Sequence, residues 1–314
     1  PTASFKARGM SAAVTRAKAQ GYPGLVVPTA GNAGAALAAY GAAAGMPVRV
    51  FAPRTTPRPI LDTIEAFGAT LVRIDGHIGD AGKLAIAYAA ESGYFNVSTL
   101  REPYRVEGMK TMGFEMAEQL GWRVPDVLVY PTGGGEGTIG IWKAINELIT
   151  GGWLPDGAGQ PRYVVAQASG CAPIARAFAA NEDRATPWID PVTYASGLRV
   201  PSPLGDRLLL RVLRETGGIA GTASEDAIRD WTLRLATATG IDAAPEGGCA
   251  LSVLYDAVTA GTLSANAEVV VFNTGSAGGV HVGPYTWQLN VLVTLLAVGL
   301  IASVVQAMAA IDRR

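Results

Sequence analysis

Short apolar segments of strand length alternate with segments of helical period along most of the chain. That alternation limits the fold more than any other feature. Segments 25–28, 48–51, 70–74, 126–130, 164–168 and 269–272 read as strands. Segments 32–45, 57–67, 80–92, 107–120, 137–150, 171–180, 225–239 and 245–260 read as helices. Pro57 suits the opening of the second of these, and Asp80 is the expected N-cap of the third. Strands alternating with helices in this way predict an α/β fold with open, mostly parallel sheets and helices on both faces. Ligands in such folds sit beyond the carboxyl ends of the strands.

The 314 residues suffice for a large core and two lobes. The net charge of −1 is spread along the chain, which argues against nucleic acid or an anionic membrane surface as the main partner. Cys171 and Cys249 stand far apart, so no disulfide framework is expected and a reducing, cytoplasmic setting fits. His77 and His281 are too few for a histidine metal site or a Ser-His-Asp triad. No signal peptide is visible, and the chain opens on Pro1 rather than Met.

Four short segments carry candidate chemistry. Lys6 follows Pro1, Thr2, Ala3, Ser4 and Phe5; an amine there can bond an aldehyde cofactor, or it is a surface lysine. Segment 29–34 is a glycine turn leading into a helix. There Asn32 either donates its amide to an oxyanion or serves as an N-cap. Gly133, Gly134, Gly135 and Gly137 lie between a strand and a helix, where free backbone N–H groups and the helix dipole favour a phosphate. The spacing matches neither a Walker loop nor a dinucleotide fingerprint. Thr274, just after the last strand, offers a hydroxyl to a ring nitrogen or forms a turn.

In order and spacing these segments resemble the fold-type II pyridoxal-phosphate enzymes, the tryptophan synthase β-like group, and among them the threonine synthases. The resemblance runs from Pro1 to about Ser276. It includes segments 102–111 (Glu-Pro-Tyr-Arg-Val-Glu-Gly-Met-Lys-Thr), 131–135 (Pro-Thr-Gly-Gly-Gly), 195–201 (Ala-Ser-Gly-Leu-Arg-Val-Pro), 245–247 (Pro-Glu-Gly) and 272–276 (Phe-Asn-Thr-Gly-Ser). It implies pyridoxal 5'-phosphate as cofactor and Lys6 as the residue that bonds it. It also implies that Asn32 meets the ring 3-oxygen, that the glycines of the 133–137 loop cradle the cofactor phosphate, and that Thr274 is a neutral partner of the ring nitrogen. The implied reaction is conversion of O-phospho-L-homoserine and water to L-threonine and phosphate, with a threonine or serine dehydratase as the alternative. A phosphorylated amino acid needs a second anion site. Arg105 is the first choice there, with a surface ion pair to Glu102 or Glu107 as the rival reading, and Lys110, Arg58 and Thr29 come next. A homodimer is the expected assembly. The expected lobes are 1–15 with 118–281, holding the cofactor, and 16–117.

The chain departs from that family in four ways. Ala7 stands where many relatives have aspartate. Glu136 stands inside the phosphate loop, where a carboxylate repels an anion unless its side chain turns away. A segment of several tens of residues normally precedes the lysine motif, so an upstream segment is expected. Residues 282–311 contain no charge, and the almost wholly apolar run 291–311 is long enough to span a bilayer. A shifted reading frame, a membrane tether and a buried or dimer-interface helix are the readings of this tail. With the missing segment and Glu136, it also motivates a third reading of the whole chain, an inactive, membrane-tethered remnant.

Overall fold

A computed structural model describes residues 2–276. The tail 282–314, and with it the expected apolar C-terminal helix, lies outside the described residues. Among the described residues no helix is long and apolar enough to cross a membrane.

The first sheet is built from β1 (Leu25–Pro28), β2 (Val48–Pro53), β3 (Thr70–Ile74) and β4 (Phe95–Asn96), in the order β3-β2-β1-β4 with every pairing parallel. The second is built from β5 (Val127–Pro131), β6 (Arg162–Ala168), β7 (Ile219–Ala223) and β8 (Val269–Val271), in the order β7-β6-β5-β8, again all parallel. Central strands are buried at almost every position, as β1 and β5 show. This is why they read as continuous apolar runs rather than alternating ones.

Helices α1 (Lys6–Ala19), α2 (Asn32–Ala44), α3 (Arg58–Ala66) and α4 (Ile78–Ser92) serve the first sheet, and α5 (Tyr104–Gln119) follows β4. Helices α6 (Glu136–Thr150), α7 (Pro173–Ala179), α8 (Asp206–Glu215), α9 (Glu225–Thr239) and α10 (Pro245–Thr259) serve the second. The main cores are one under α1 and α2, holding Met10, Val14, Leu37 and Ile64, and two on either side of the second sheet.

Several helix starts differ from the sequence expectation. The N-cap of α4 is His77, whose Nδ1 accepts from Gly79 N at 3.0 Å. Asp80 is its partner inside the helix and accepts from His77 N at 3.2 Å. Helix α5 opens three residues before Glu107, because the Glu102 carboxylate accepts from Tyr104 N and Arg105 N and so caps it. Cys171 is not helical; it bridges back to Ala168, and Pro173 opens α7. Asn32 is the first residue of α2, and Gly31, not Asn32, is its N-cap. Four elements, α1, β4, α8 and β7, are absent from the sequence expectation.

Helix α1 buries Met10, Ala13, Val14 and Ala17, one stripe at helical spacing, against α2 and α5. Its crossing with α5 is close. A Cβ on Gly108 would stand 2.2 Å from the Arg8 carbonyl oxygen, so only glycine lets the two backbones meet there. The Arg8 guanidinium then grips Glu115 of α5 with two bonds, 2.7 and 2.6 Å. This crossing brings the start of α1 beside Arg105.

Candidate active site

The loops after β1, β5 and β8 meet at the carboxyl ends of their strands, around a cleft that opens to solvent. The lining includes Lys6, Asn32, Gly133, Gly134, Gly135, Gly137 and Thr274, residues that lie far apart in sequence.

Backbone bonds hold Lys6 there. Ser4 bridges antiparallel to Gly275, Phe5 N donates to Thr274 O at 3.1 Å, and Ser276 N donates to Ala3 O at 3.1 Å. The segment ahead of α1 is therefore laid like a strand along the loop that carries Thr274, and the helix begins where that pairing ends. Thr274 is buried. Asn32 faces the same loop: a Cβ on Gly275 would stand 3.5 Å from its amide nitrogen.

Gly135 is the N-cap of α6 with φ +88°, and no side chain caps this helix start. A Cβ on Gly135 would meet Leu209 Cδ1 at 2.4 Å, and one on Gly133 would meet the Gly197 carbonyl oxygen at 2.4 Å. The loop is glycine because its neighbours occupy the space a side chain needs, and the helix start points at the cleft uncovered.

Glu136 turns away from that opening into the protein. Its Oε2 accepts from Arg105 NH2 at 2.6 Å and from Lys6 Nζ at 3.3 Å. The carboxylate and the guanidinium are each 1% exposed, while the Lys6 side chain keeps 21% of its surface open. Burial, the largest influence, lowers the Lys6 amine below the usual lysine range. The adjacent Arg105 charge adds to this and Glu136 opposes it. Burial pushes the Glu136 carboxyl up, but Arg105 and Lys6 outweigh it and hold the group below its ordinary value. Arg105 is thus not in a surface pair with Glu102 or Glu107; NH1 donates to the Val97 carbonyl at 2.8 Å and NH2 to Glu136.

The other phosphate candidates are not brought to the cleft. Lys110 pairs with Glu107 and Glu147. Arg58 is exposed and pairs with Asp62. The Thr29 hydroxyl is buried in the turn before α2, accepting from Gly31 N at 3.1 Å and Gly34 N at 3.0 Å.

Some lining residues carry no role in the sequence reading. Tyr130 lines the cleft with its hydroxyl against Gly137, and burial raises its pKa well above the usual value. Glu246 accepts from Gly197 N at 2.8 Å and fixes the short 3-10 turn Ser196–Leu198 that forms one wall. Burial raises the Glu246 carboxyl despite that bond. Both segments 195–201 and 245–247 stand out as motifs; nothing in their local pattern shows that they meet.

A half-buried amine beside an uncapped helix start, in a cleft fed by two parallel sheets, is the layout of a lysine-centred α/β enzyme. The chain belongs to the pyridoxal-phosphate dependent enzyme family, whose model matches residues 1–275. Its cofactor is pyridoxal phosphate. The threonine synthase of Methanosarcina acetivorans is 33% identical over 277 residues, covering 88% of this chain and 67% of that one. That of Methanocaldococcus jannaschii is 30% identical over 276 residues, with the same coverage of each. Among solved structures, maize serine racemase superposes with a TM-score of 0.74 at 22% identity, over 91% of this chain and 82% of that one. The processed form of threonine deaminase isoform 2 from Solanum lycopersicum superposes with 0.71 at 18% identity, over 87% and 75%.

The cleft fits such a group on its own terms. The buried hydroxyl of Tyr130 has no hydrogen-bond partner, the helix start is uncapped, and the amine has an open side.

Proposed function

We propose that this chain converts O-phospho-L-homoserine and water to L-threonine and inorganic phosphate. The observation that carries the reading is the pair of threonine synthases that match most of the chain at 30% identity or more. The superposed racemase and deaminase speak to the fold alone.

When bound, the pyridine ring supplies an electron sink for negative charge developing on the substrate's carbons. The protein does the rest. Lys6 would bond the cofactor, and its amine would move protons at the substrate's α-, β- and γ-carbons. The backbone of Gly133, Gly134, Gly135 and Gly137 receives the cofactor phosphate at the start of α6. Asn32 would offer its amide to the ring oxygen. Thr274 would offer the ring nitrogen a hydroxyl, a neutral partner in place of a carboxylate. Residues 196–198 and Glu246 would form one wall beside the substrate. Thr29 shapes the turn that presents Asn32, and Arg58 and Lys110 are paired with carboxylates away from the cleft.

One observation favours a second reading. The Arg105 charge is already committed to Glu136 and the Val97 carbonyl, which suits elimination from threonine or serine with no substrate phosphate to hold.

The test is incubation of the purified, cofactor-loaded protein with O-phospho-L-homoserine, following threonine by chromatography and phosphate by colorimetry. Equal amounts of both support the proposal. Oxoacid release from threonine without phosphate production replaces it with the second reading, and no product from any of these amino acids refutes both.

A further inference from the structure

Glu136 is the residue in the cleft that the expected cofactor contacts leave unexplained. A carboxylate at the first position of the phosphate-binding helix faces an anion site, and burial opposes its charge. Yet it is ionised and held from two sides. Arg105 of α5 anchors Oε2 at 2.6 Å, and Lys6 of α1 donates to the same oxygen at 3.3 Å. Its other oxygen, Oε1, is buried and without a partner, so the geometry commits the carboxylate to these two cations rather than to the loop. The nearby groups from every packed element are few. Glu102 precedes α5 with its carboxylate on the backbone of that helix, Tyr130 on β5 keeps an unpaired hydroxyl, and Arg8 on α1 is locked to Glu115.

We propose that Glu136 is the positioning residue and proton partner of Lys6. It aims the amine along the glycine rim and sets its proton count. Arg105 acts through Glu136 by fixing where the carboxylate lies. The proton step is Lys6–NH3+ with Glu136–COO− going to Lys6–NH2 with Glu136–COOH. One N–H bond breaks and one O–H bond forms, and the net charge of the pair stays at zero. In a buried site that matters, because releasing the proton without a nearby acceptor would leave an isolated charge. The amine gains a free lone pair while its proton waits on an oxygen 3.3 Å away, ready to return. Burial and Arg105 weaken the ammonium while Glu136 strengthens it.

This rests on Lys6 being the cofactor-bonding residue, and the experiment separates the two. In cofactor-free protein, Lys6 is labelled with a small amine reagent across a pH series, and its modification is quantified by peptide mass spectrometry. Glu136→Gln keeps the shape and removes the charge, so Lys6 should be labelled about tenfold faster at pH 7. Glu136→Asp should fall back toward the wild type. Arg105→Gln, which removes the like charge instead, should slow labelling, giving an independent arm if Glu136→Gln does not fold. Superimposable pH profiles for wild type and the folded variants would overturn the proposal. Binding of pyridoxal phosphate, read from its visible absorbance and compared in wild type and Lys6→Ala, tests the cofactor role separately. Shifted profiles with unchanged absorbance in Lys6→Ala would sink that role and leave the Glu136 pairing standing.

Discussion

Replacing Arg105 by methionine tests how much the buried charge cluster contributes to the fold. The side chains of Arg105 and Glu136 are both 1% exposed, and the guanidinium also satisfies the Val97 carbonyl at 2.8 Å. Removing one partner of such a pair costs about 3–5 kcal/mol, because the remaining charge stays buried. Lys6 still holds Glu136 from 3.3 Å, so the lower end, about 3 kcal/mol, is expected. In urea this is a midpoint lowered by about 1 M at a slope of about 3 kcal/mol per M. The double replacement Arg105→Met with Glu136→Met should recover most of the loss, since a buried pair exchanged for apolar side chains is close to neutral. Acid sharpens the test. In the wild type Glu136 is held below its ordinary value, so its stabilisation is present above that value and lost as pH falls through the lower folded one. Without Arg105, burial dominates and raises the folded pKa above the unfolded one. The variant's deficit is then largest at neutral pH and shrinks on acidification. A single variant within about 1 kcal/mol of wild type, or a double variant no better than the single, would refute this account.

Gly133→Ala places a Cβ 2.4 Å from the carbonyl oxygen of Gly197, a residue whose N–H is tied to Glu246, so the wall must move. Its affinity for pyridoxal phosphate, titrated by absorbance, should fall about tenfold or more with the fold retained, and wild-type affinity would contradict the cradle. Burial pushes the Cys171 thiol up to about 11 and the Cys249 thiol higher than usual. Both should resist a thiol reagent at pH 8 until denaturant is added; labelling of the native protein would mean the strands and helices around them open readily.

Strands are legible in the sequence because fully buried parallel strands are apolar throughout. Residues 70–74 are a case where the expected and observed bounds agree. Helix starts are harder, since they depend on single capping bonds such as those of Glu102 and His77. Helix α8 escapes because Leu208, Leu209 and Leu210 in a row blur the period that buries Leu209, Leu210, Val212 and Leu213. Strand β7 escapes because Ile-Ala-Gly-Thr-Ala has little apolar weight; it pairs with β6 alone at a sheet edge. In the cleft, the glycines and Lys6 are visible as local patterns, whereas the partner of Lys6 is not. Glu136 stands out as an anomaly in its loop, and only tertiary structure shows that the side chain faces inward to two cations from other helices.

The pairing of Ser4 and Phe5 with Thr274 and Gly275 has a consequence for assembly. The amine that gives the cleft its reactivity lies near one end of the described residues, and the loop that fixes its direction lies near the other. Helix α1 packs on α2 and α5, but the backbone against which its first turn is set is that of Thr274 and Gly275. A chain stopped short of residue 269 would keep its first sheet and its lysine while losing the surface that aims it. The direction of the lysine is therefore a property of the complete second sheet and not of the helix that carries it.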